Sequence, residues 1–556
     1  MKNFYVLFII ILIQTNSNAQ SFNYLDDHSF GTSYIDRGYA ITHSNHLNAI
    51  IGNSSSLNPQ YDKSDFTCDT LISPKDFWIV AFDDSLHKIW DRTYGGTNDD
   101  QGFSIISYRN GFVVSGCTYS DSSCSLLTTQ KGTADYLLLF LDSLGNKVNE
   151  LRFGSIGHNL DCMVEKTLEG GLLLIGCSNG VHSFDKSQNA FYYPWGNPFT
   201  AGSDYWVIKL DSLGTKQWDK VFGGYDNERA FESRKQFGLT VLNDSNYLIY
   251  GASKSDIGGN VTTPLYGSPD GLVFKVDKNG NKIWDKRFGG YALSGSTVNN
   301  SYSSITKIIE QDNYYYIYGY TDADTGGTIM SQGFGLVDFW LIKTDTSGNL
   351  IWEKKFGTNS IDISWDMIPN PQGGLFAVGE IYTASNGSFL NPGYGDNDVV
   401  VMSFDTSGTL LTYKILGANH RDWPNSLTML NDSTLLISAT ADDGISNVKN
   451  DPGHGNADIW VVKLGYTTTT TSISQLQNNL SLTARPNPAK DLIDISGLPL
   501  ATYTINTYSL DGRLVLSDIV TSDFSLPLSI QSLQSGMYLS NITNEKINTT
   551  VRWVKE

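Results

Sequence analysis

The chain is poor in charged residues, in cysteine and in long apolar segments, and each shortage excludes a class of protein. Only 17% of its 556 residues are charged, and 57 acidic against 38 basic residues give a net charge of −19. Such a charge repels phosphate backbones and anionic lipid. The five cysteines have no zinc-binding spacing, and the eight histidines form no H-x-H or H-E-x-x-H motif. The sequence therefore predicts no nucleic-acid partner, no metal and no other cofactor.

The longest apolar segment stands at the amino terminus. It runs from Phe4 to Ile13, follows Lys2, and leads into small polar residues that end at Ala19. As a helix this segment would rise only about 15 Å, which is half of a bilayer core. We therefore predict a signal peptide over residues 1–19, cleaved after Ala19, and no transmembrane span.

A phrase of the type D-x-W-x-x-K-L-D recurs along the chain. Three copies continue as D-x-x-G-x-x-x-W-x-x-x-F-G, and a further apolar run, usually ending in glycine, precedes each copy. Each unit thus holds four strand-sized runs, which is the content of one propeller blade. The seven opening aspartates are Asp76, Asp135, Asp204, Asp270, Asp338, Asp398 and Asp458.

The two ends of this array predict how it closes. The seventh copy stops at Gly465 without a fourth strand, whereas the segment after Ala19 ends in Phe30-Gly31, as a fourth strand should. A ring completed by its own first strand leaves no unpaired edge. The predicted fold class is therefore all-β, with a seven-bladed β-propeller over residues 20–465 that is closed by an N-terminal strand.

Insertions in the repeat fall on one predicted face of the ring. They lengthen the connections from strand two to three, or from strand four to the next strand one. Long loops on a rigid scaffold are where binding usually resides. The insertion of unit three supplies aromatic candidates that would stack on sugar rings or enter a protein partner, unless the loop folds back over its own ring. These candidate ligand-binding residues are Phe191, Tyr192, Tyr193, Trp195 and Phe199.

Two pairs of cysteines are candidates for disulfide bridges. Cys162 and Cys177 lie symmetrically about a hairpin at residues 168–171 and would face each other, either bridged or as two buried thiols. Cys68 and Cys124 lie in second-to-third loops of neighbouring units and could join across blades.

A threonine-rich stretch at residues 466–481 predicts a linker, and residues 482–556 predict a small C-terminal antiparallel β-sandwich. The ordered motifs of this segment resemble the type A C-terminal sorting domain of the Bacteroidetes type IX secretion system. The matching residues are Pro486-Asn487-Pro488, Asp511-Gly512-Arg513, Gly536-Met537-Tyr538 and the basic end at Lys555.

The resemblance implies that the secretion machinery is a partner. It also implies that the chain passes through the periplasm, crosses the outer membrane, loses this domain, and is released or attached to the cell surface. The repeat units resemble propeller repeats common in proteins with such domains, and that likeness transfers no catalytic residues.

The sequence as a whole predicts a secreted or cell-surface binding protein whose ligand is a glycan or a protein. The alternatives are a carbohydrate-active hydrolase or lyase and a quinoprotein-like dehydrogenase. Glycoside hydrolysis needs two carboxylates about 5 to 9.5 Å apart. The turn phrase is similar to the tryptophan motif of quinoprotein dehydrogenases and to the sialidase Asp-box, but its spacing differs from both. Available carboxylates, none marked as a pair, are Asp226, Glu228, Glu232 and Glu380.

Overall fold

Every regular secondary-structure element among the described residues is a β-strand. The computed structural model describes residues 18–556 except 45, 69–74, 192–201, 229–236, 292–300, 324, 383–386, 390–392, 443, 446–447, 471–481, 499–500, 510–512, 523–524 and 545–547. Within these residues the chain divides into a larger unit, Gln20–Thr467, and a second unit that includes Thr468–Glu556. The described part of the chain contains no helix with the length and apolarity needed to cross a membrane.

The larger unit contains, among the described residues, seven four-stranded sheets in which sequential strands are neighbours. The first strand of the chain, β1 (Asn18–Phe30), belongs to the last sheet. Sheet 1 is formed by β2 (Asp36–Ser44), β3 (Leu47–Ser54), β4 (Asp76–Phe82) and β5 (Lys88–Tyr94); sheet 2 by β6 (Asp100–Tyr108), β7 (Gly111–Thr118), β8 (Asp135–Asp142) and β9 (Lys147–Phe153); sheet 3 by β10 (Asn159–Lys166), β11 (Leu172–Ser178), β12 (Asp204–Leu210) and β13 (Lys216–Phe222); sheet 4 by β14 (Phe237–Val241), β15 (Tyr247–Ser253), β16 (Asp270–Val276) and β17 (Lys282–Phe288); sheet 5 by β18 (Ser303–Gln311), β19 (Tyr314–Thr321), β20 (Asp338–Thr344) and β21 (Leu350–Phe356); sheet 6 by β22 (Asp362–Pro369), β23 (Leu375–Tyr382), β24 (Asn397–Phe404) and β25 (Leu410–Leu416); and sheet 7 by β26 (Asp422–Asn431), β27 (Thr434–Asp442), β28 (Ala457–Thr470) and β1.

The third strand of each sheet carries the repeated phrase, and its burial explains the sequence pattern. Strands such as β4 and β12 are buried along their whole length, so they are continuous apolar runs rather than alternating ones. The tryptophan of the phrase is buried, and its indole N–H is satisfied by an acid on the adjacent fourth strand. Trp206 donates to Asp219 (3.0 Å) and Trp460 to Asp27 (2.8 Å).

Hydrophobic clusters fill the spaces between consecutive sheets. Seven such clusters of described residues lie in the larger unit. In one of them Ile459 and Val461 of sheet 7 pack against Ile50 and Trp78 of sheet 1. The first strands of neighbouring sheets are also in contact, including β26 with β2. The last sheet therefore packs on the first.

Strand β28 continues beyond Gly465 into the stretch that the sequence assigned to the linker. Tyr466 is buried in the cluster between sheets 6 and 7, where its ring meets those of Phe22 and Phe376. Thr467 exchanges a hydroxyl hydrogen bond with Ser21 on β1 (3.0 Å). The predicted linker boundary is therefore wrong at residues 466–470, because an aromatic anchor and the pairing with β1 extend the strand.

The second unit forms two sheets around one core. Ile493 and Ile495 of the smaller sheet and Ile505 and Trp553 of the larger sheet lie in the same cluster. The three-stranded sheet consists of β29 (Thr483–Arg485), β30 (Leu492–Ser496) and β33 (Ser525–Ser529), and the four-stranded sheet of β32 (Leu514–Ser522), β31 (Ala501–Ser509), β34 (Gly536–Thr543) and β35 (Asn548–Lys555).

Candidate functional site

The long connections of the larger unit meet at one edge of the sheets, which we call the loop face. Because consecutive strands are antiparallel, the second-to-third and fourth-to-first connections emerge at the same end, and the hairpins emerge at the other. Backbone bonds tie the two kinds of loop together. The Lys254 N–H donates to the Asn227 carbonyl (2.8 Å), and the Thr328 N–H donates to the Gly289 carbonyl (2.9 Å).

The aspartates that open each repeat are buried at this face and hold the loops. Each accepts a backbone N–H from the loop that precedes it. Asp270 accepts from Tyr266 (2.7 Å), and Asp398 accepts from Tyr394 (2.7 Å). A charge-assisted bond of this kind fixes the last turn of the loop before the strand begins.

The F-G glycine at the end of each fourth strand lies against the same aspartates. A methyl group on Gly357 would come within 2.5 Å of a carboxylate oxygen of both Asp338 and Asp362. Asp362 stands five residues after this glycine, at the start of the next sheet. Only a residue without a side chain fits between the two acids.

Five sheet junctions carry such a pair of buried acids, which we call the carboxylate dyads. The first acid of each pair is the opening aspartate of one sheet, and the second stands five residues after the glycine that follows the fourth strand of that sheet. The sequence reading missed these pairs, although an acid five residues after F-G is a usable signal. The dyads are Asp76/Asp100, Asp204/Glu228, Asp338/Asp362, Asp398/Asp422 and, between the last sheet and the first, Asp458/Asp36.

Burial raises the pKa of Asp100, Glu228, Asp362 and Asp422, because loss of hydration disfavours the charged form. The pKa of Asp362 rises to about 8 and that of Asp422 to about 7. In both, the facing carboxylate adds to the rise, and a backbone N–H bond partly offsets it. The pKa values of Asp100 and Asp398 rise to about 6, again through burial.

Two junctions have an arginine where others have a second acid. Arg152 lies 3.7 Å from Asp135, and Arg287 faces Asp270. The residue that would complete the dyad is Asn159 at the first of these junctions and Ser303 at the second. Buried polar groups therefore anchor the loop face at these two junctions as well as at the dyads.

Exposed aromatic side chains concentrate on the loop face. Of the eight aromatic residues that are exposed among the described residues, seven belong to its loops, and the eighth, Tyr314, follows a hairpin at the opposite end. The two most exposed are Phe66 (71%) and Phe184 (68%). The seven are Tyr34, Tyr61, Phe66, Phe184, Tyr291, Phe334 and Tyr394.

The aromatic residues singled out from the sequence lie mostly beyond what is described. Tyr192, Tyr193, Trp195 and Phe199 lie outside the described residues. Phe191 is half-buried, packs against the cluster between sheets 2 and 3, and donates its N–H to Asp204. The seven exposed aromatics were missed because only solvent exposure distinguishes them from the many ring-packing tyrosines and phenylalanines.

The candidate carboxylates for hydrolysis differ widely in environment. Glu228 is fully buried and accepts the Gly224 N–H (3.1 Å). Glu380 is also buried, and accepts from Trp365 (3.3 Å) and from Asn397. Glu232 lies outside the described residues, and Asp226 is at the surface of its loop. No group of three or more His, Cys, Asp or Glu side chains in the described ranges is arranged to hold a metal ion.

The expectation that Cys162 and Cys177 face each other is wrong. A β-bulge between Leu160 and Met163 shifts the register, so that Cys177 lies opposite Leu160. Cys162 packs in the cluster between sheets 2 and 3 and Cys177 in the cluster between sheets 3 and 4. Both remain thiols, because they lie on opposite faces of the same sheet.

A disulfide bridge joins Cys68 and Cys124, with Cα atoms 6.2 Å apart. It connects the second-to-third loops of sheets 1 and 2 across the loop face.

We expect the double variant Cys68→Ser/Cys124→Ser to lose about 2–4 kcal/mol of unfolding free energy, because a long unfolded loop is released. Denaturant titration measures the loss. A reductant should destabilise the wild type equally and leave the variant unchanged, and a wild type insensitive to reductant would contradict the expectation.

In the second unit, the sequence motifs converge on one end of the sheet pair. The Asn487 side chain accepts the Val554 N–H (2.9 Å), and the Lys555 ammonium donates to the Lys490 carbonyl (2.6 Å). Gly536 pairs with Lys555, and Tyr538 stacks on Trp553 with ring centroids 5.0 Å apart.

The turn around Arg513 closes through a bond from the Ser509 N–H to its carbonyl (3.0 Å). Asp511 and Gly512 lie outside the described residues. Trp553, fully buried beside Tyr538, is an anchor that the sequence reading did not single out.

Comparison with known proteins identifies this second unit. Residues 484–556 match the family of the secretion system C-terminal sorting domain. No curated protein matches the chain.

Solved structures resemble the chain at low identity. They include a protein of unknown function from Dyadobacter fermentans (10% identity, 80% of this chain and 99% of that one, TM-score 0.41). Others are the phage phi92 endosialidase (10%, 96% and 87%, TM-score 0.37) and an oligogalacturonate lyase in complex with manganese (10%, 80% and 98%, TM-score 0.38). At such scores nothing about activity follows for this chain.

The class of protein is thus defined by its two units: an exported protein with an all-β, propeller-like body of four-stranded antiparallel sheets and a terminal sorting unit. Its residues 484–556 are a type IX secretion system C-terminal sorting domain, which engages the secretion machinery and directs the protein to the cell surface or the medium.

Proposed function

We propose that the larger unit, Gln20–Thr467, is a closed seven-bladed β-propeller, followed by a linker and by a C-terminal β-sandwich over residues 482–556. The packing of sheet 7 on sheet 1 and the position of β1 beside β28 support closure. Residues 1–19 are proposed as a signal peptide that delivers the chain to the periplasm before the sorting domain acts.

We further propose that this propeller is a binding protein whose ligand contacts the loop face. The observation that carries the proposal is the concentration of exposed aromatic rings there, seven of the eight in the described residues. An exposed aromatic ring is unfavourably hydrated until a ligand covers it. Because the ring is rigid, it offers contact area with little loss of conformational entropy on binding. A glycan is the favoured ligand, because the seven rings are spread over six loops and only Tyr61 and Phe66 share one, whereas a protein hot spot needs a contiguous cluster.

The buried acids make the loop face suitable for this role. A ligand that binds preformed loops does not have to supply their ordering free energy. The opening aspartates of sheets 5 and 6 accept the N–H groups of Phe334 and Tyr394, so the backbone beneath two exposed rings is fixed. An enzyme is less well supported, because Glu228 and Glu380 are buried and bonded to protein groups.

Binding is tested by probing glycan and protein arrays with the full-length protein, then measuring affinity for the strongest ligand. We expect the double variant Tyr291→Ala/Phe334→Ala to weaken binding at least tenfold, because each stacked ring contributes on the order of 1 kcal/mol. The matched control is Tyr314→Ala, which removes an exposed ring from the opposite end of the sheets. Equal affinity of the two variants, or no ligand on either array, would refute the proposal, and a protein ligand alone would exclude the glycan.

A further inference from the structure

Two of the carboxylate dyads contain buried oxygen atoms without a hydrogen-bond donor. At the junction of sheets 3 and 4, Asp204 Oδ1 and Glu228 Oε2 are both buried and have no hydrogen-bond partner. Both atoms lie beside Gly223, so the two acceptors point at the same place. At the junction of sheets 6 and 7, one oxygen of Asp398 and one of Asp422 are likewise buried without a hydrogen-bond partner.

Two ionised carboxylates cannot occupy such a place together at low cost. Burying one unpaired charge is already unfavourable, and a like charge within a few ångströms adds repulsion. Sheet 6 itself supplies no counter-charge, because the sequence contains no lysine or arginine between Lys355 and Lys414, and the Lys449 ammonium only partly offsets the rise in the pKa of Asp422. In sheet 5, by contrast, Lys355 faces Asp338.

A metal ion is not the counter-charge that these atoms indicate. Two carboxylates fall far short of the six to eight oxygen ligands that calcium takes. A proton needs only the two facing oxygens, and it converts one of them into the missing donor.

We propose that the dyads Asp204/Glu228 and Asp398/Asp422 each hold one shared proton near neutral pH, so that folding takes up protons and alkali loosens these two sheet junctions at the loop face. This inference goes beyond ligand binding and does not depend on it. The loops affected are those whose N–H groups the dyads accept, including the loop of Tyr394.

The sign of the pH dependence follows from proton linkage. The pKa of Asp422 is about 7 in the folded protein, whereas an unfolded aspartate titrates near 4. The folded state therefore binds more protons between about pH 4 and pH 7, and its stability falls as pH rises through this window. For each unit by which the pH rises within this window, each dyad lowers the folding equilibrium constant by up to a factor of ten.

The chain offers a matched pair of positions for the test. Asn159, at the junction of sheets 2 and 3, occupies the position that Asp422 occupies at the junction of sheets 6 and 7, five residues after the glycine that follows the fourth strand. The Asn159 side chain donates to the Ala134 carbonyl (2.9 Å). An asparagine is therefore compatible with this backbone. Asp422→Asn removes a dyad, and Asn159→Asp creates one opposite Asp135.

Other charged groups face the two test positions and stay unchanged in the variants. Around Asp422 they are Asp398, Asp442 and Lys449, and around Asp135 they are Arg152 and Lys131. The surface pair Arg421–Asp396 and the buried Glu380 lie on the adjoining segments of sheets 6 and 7.

Denaturant unfolding of the full-length protein at pH 5, 6, 7, 8 and 9 measures the effect. Tryptophan fluorescence reports the larger unit, because Trp553 is the only one of the 12 tryptophans outside it. We expect wild-type stability to fall from pH 5 to pH 8, less steeply in Asp422→Asn and more steeply in Asn159→Asp. In the wild type, hydrogen exchange of the Tyr394 amide should accelerate with pH by more than the intrinsic exchange rate does. In Asp422→Asn it should follow the intrinsic rate.

Several outcomes would overturn the proposal. Wild-type stability that is flat or rises from pH 5 to pH 8 is one, and equal slopes in wild type and Asp422→Asn is another. If Asp422→Asn does not fold, an unchanged slope in Glu228→Gln, which removes the dyad between sheets 3 and 4, overturns it. Calcium chloride that restores stability at pH 8 in the wild type but not in Asp422→Asn would mean that the dyad holds a cation instead.

Discussion

A chain that lacks residues 484–556 is expected to be missing from the cell surface and from the medium, and to accumulate in the periplasm. The deleted segment matches the sorting domain and forms its own core around residues such as Ile505 and Trp553. Because the larger unit has separate clusters between its sheets, it should fold without this segment. Export should therefore fall by at least an order of magnitude while the folded protein remains detectable.

Immunoblots of periplasmic, surface and medium fractions measure this loss. The matched control fuses residues 484–556 to an unrelated periplasmic reporter, which should then leave the cell. Tryptophan fluorescence of the retained chain checks that its sheets are intact. Wild-type surface display of the truncated chain would show that the sorting signal lies elsewhere.

Replacing Gly357 with alanine is expected to destabilise the larger unit strongly, because the added methyl group meets both acids of a dyad. The new carbon would lie 2.5 Å from oxygens of both Asp338 and Asp362, and neither acid can retreat without losing its loop bonds. Overpacking of this kind costs about 3 kcal/mol or more, well above the few tenths by which alanine favours folding elsewhere.

Gly465→Ala is the matched control in the same unit. Its added methyl group would meet only the Leu25 side chain, at 3.4 to 3.5 Å, which is ordinary contact. Denaturant unfolding should therefore give a change below about 1 kcal/mol for this variant. Similar losses for both glycines would disprove the claim that the dyads enclose Gly357.

Local sequence patterns predicted a large part of the fold because each strand is specified by neighbouring residues. The buried third strands are continuous apolar runs, and the turns between them carry glycine and aspartate at fixed offsets. The four-stranded grouping and the sorting-domain motifs follow from the same local signals. The linker boundary failed at Tyr466, because the partner rings that bury it come from the other end of the larger unit and from sheet 6.

The candidate site was less predictable, because exposure and register depend on packing. The pairing of Cys162 with Cys177 assumed an unbroken ladder, and the bulge after Leu160 moved the two thiols to opposite faces of the sheet. The seven exposed aromatic residues of the loop face have the same identities as ring residues buried between sheets. No feature of the neighbouring sequence distinguishes the exposed rings from the buried ones.

The sequence by itself determined the repeat, the strand content, the net negative charge and the presence of a sorting segment, since composition and neighbouring residues define all four. The tertiary structure alone decided which acids meet. Asp398 and Asp422 belong to different sheets and become a pair only when those sheets pack around Gly417. Their shared burial, and the proton we assign to it, arise from that packing, because a carboxylate changes its pKa only when its surroundings replace water.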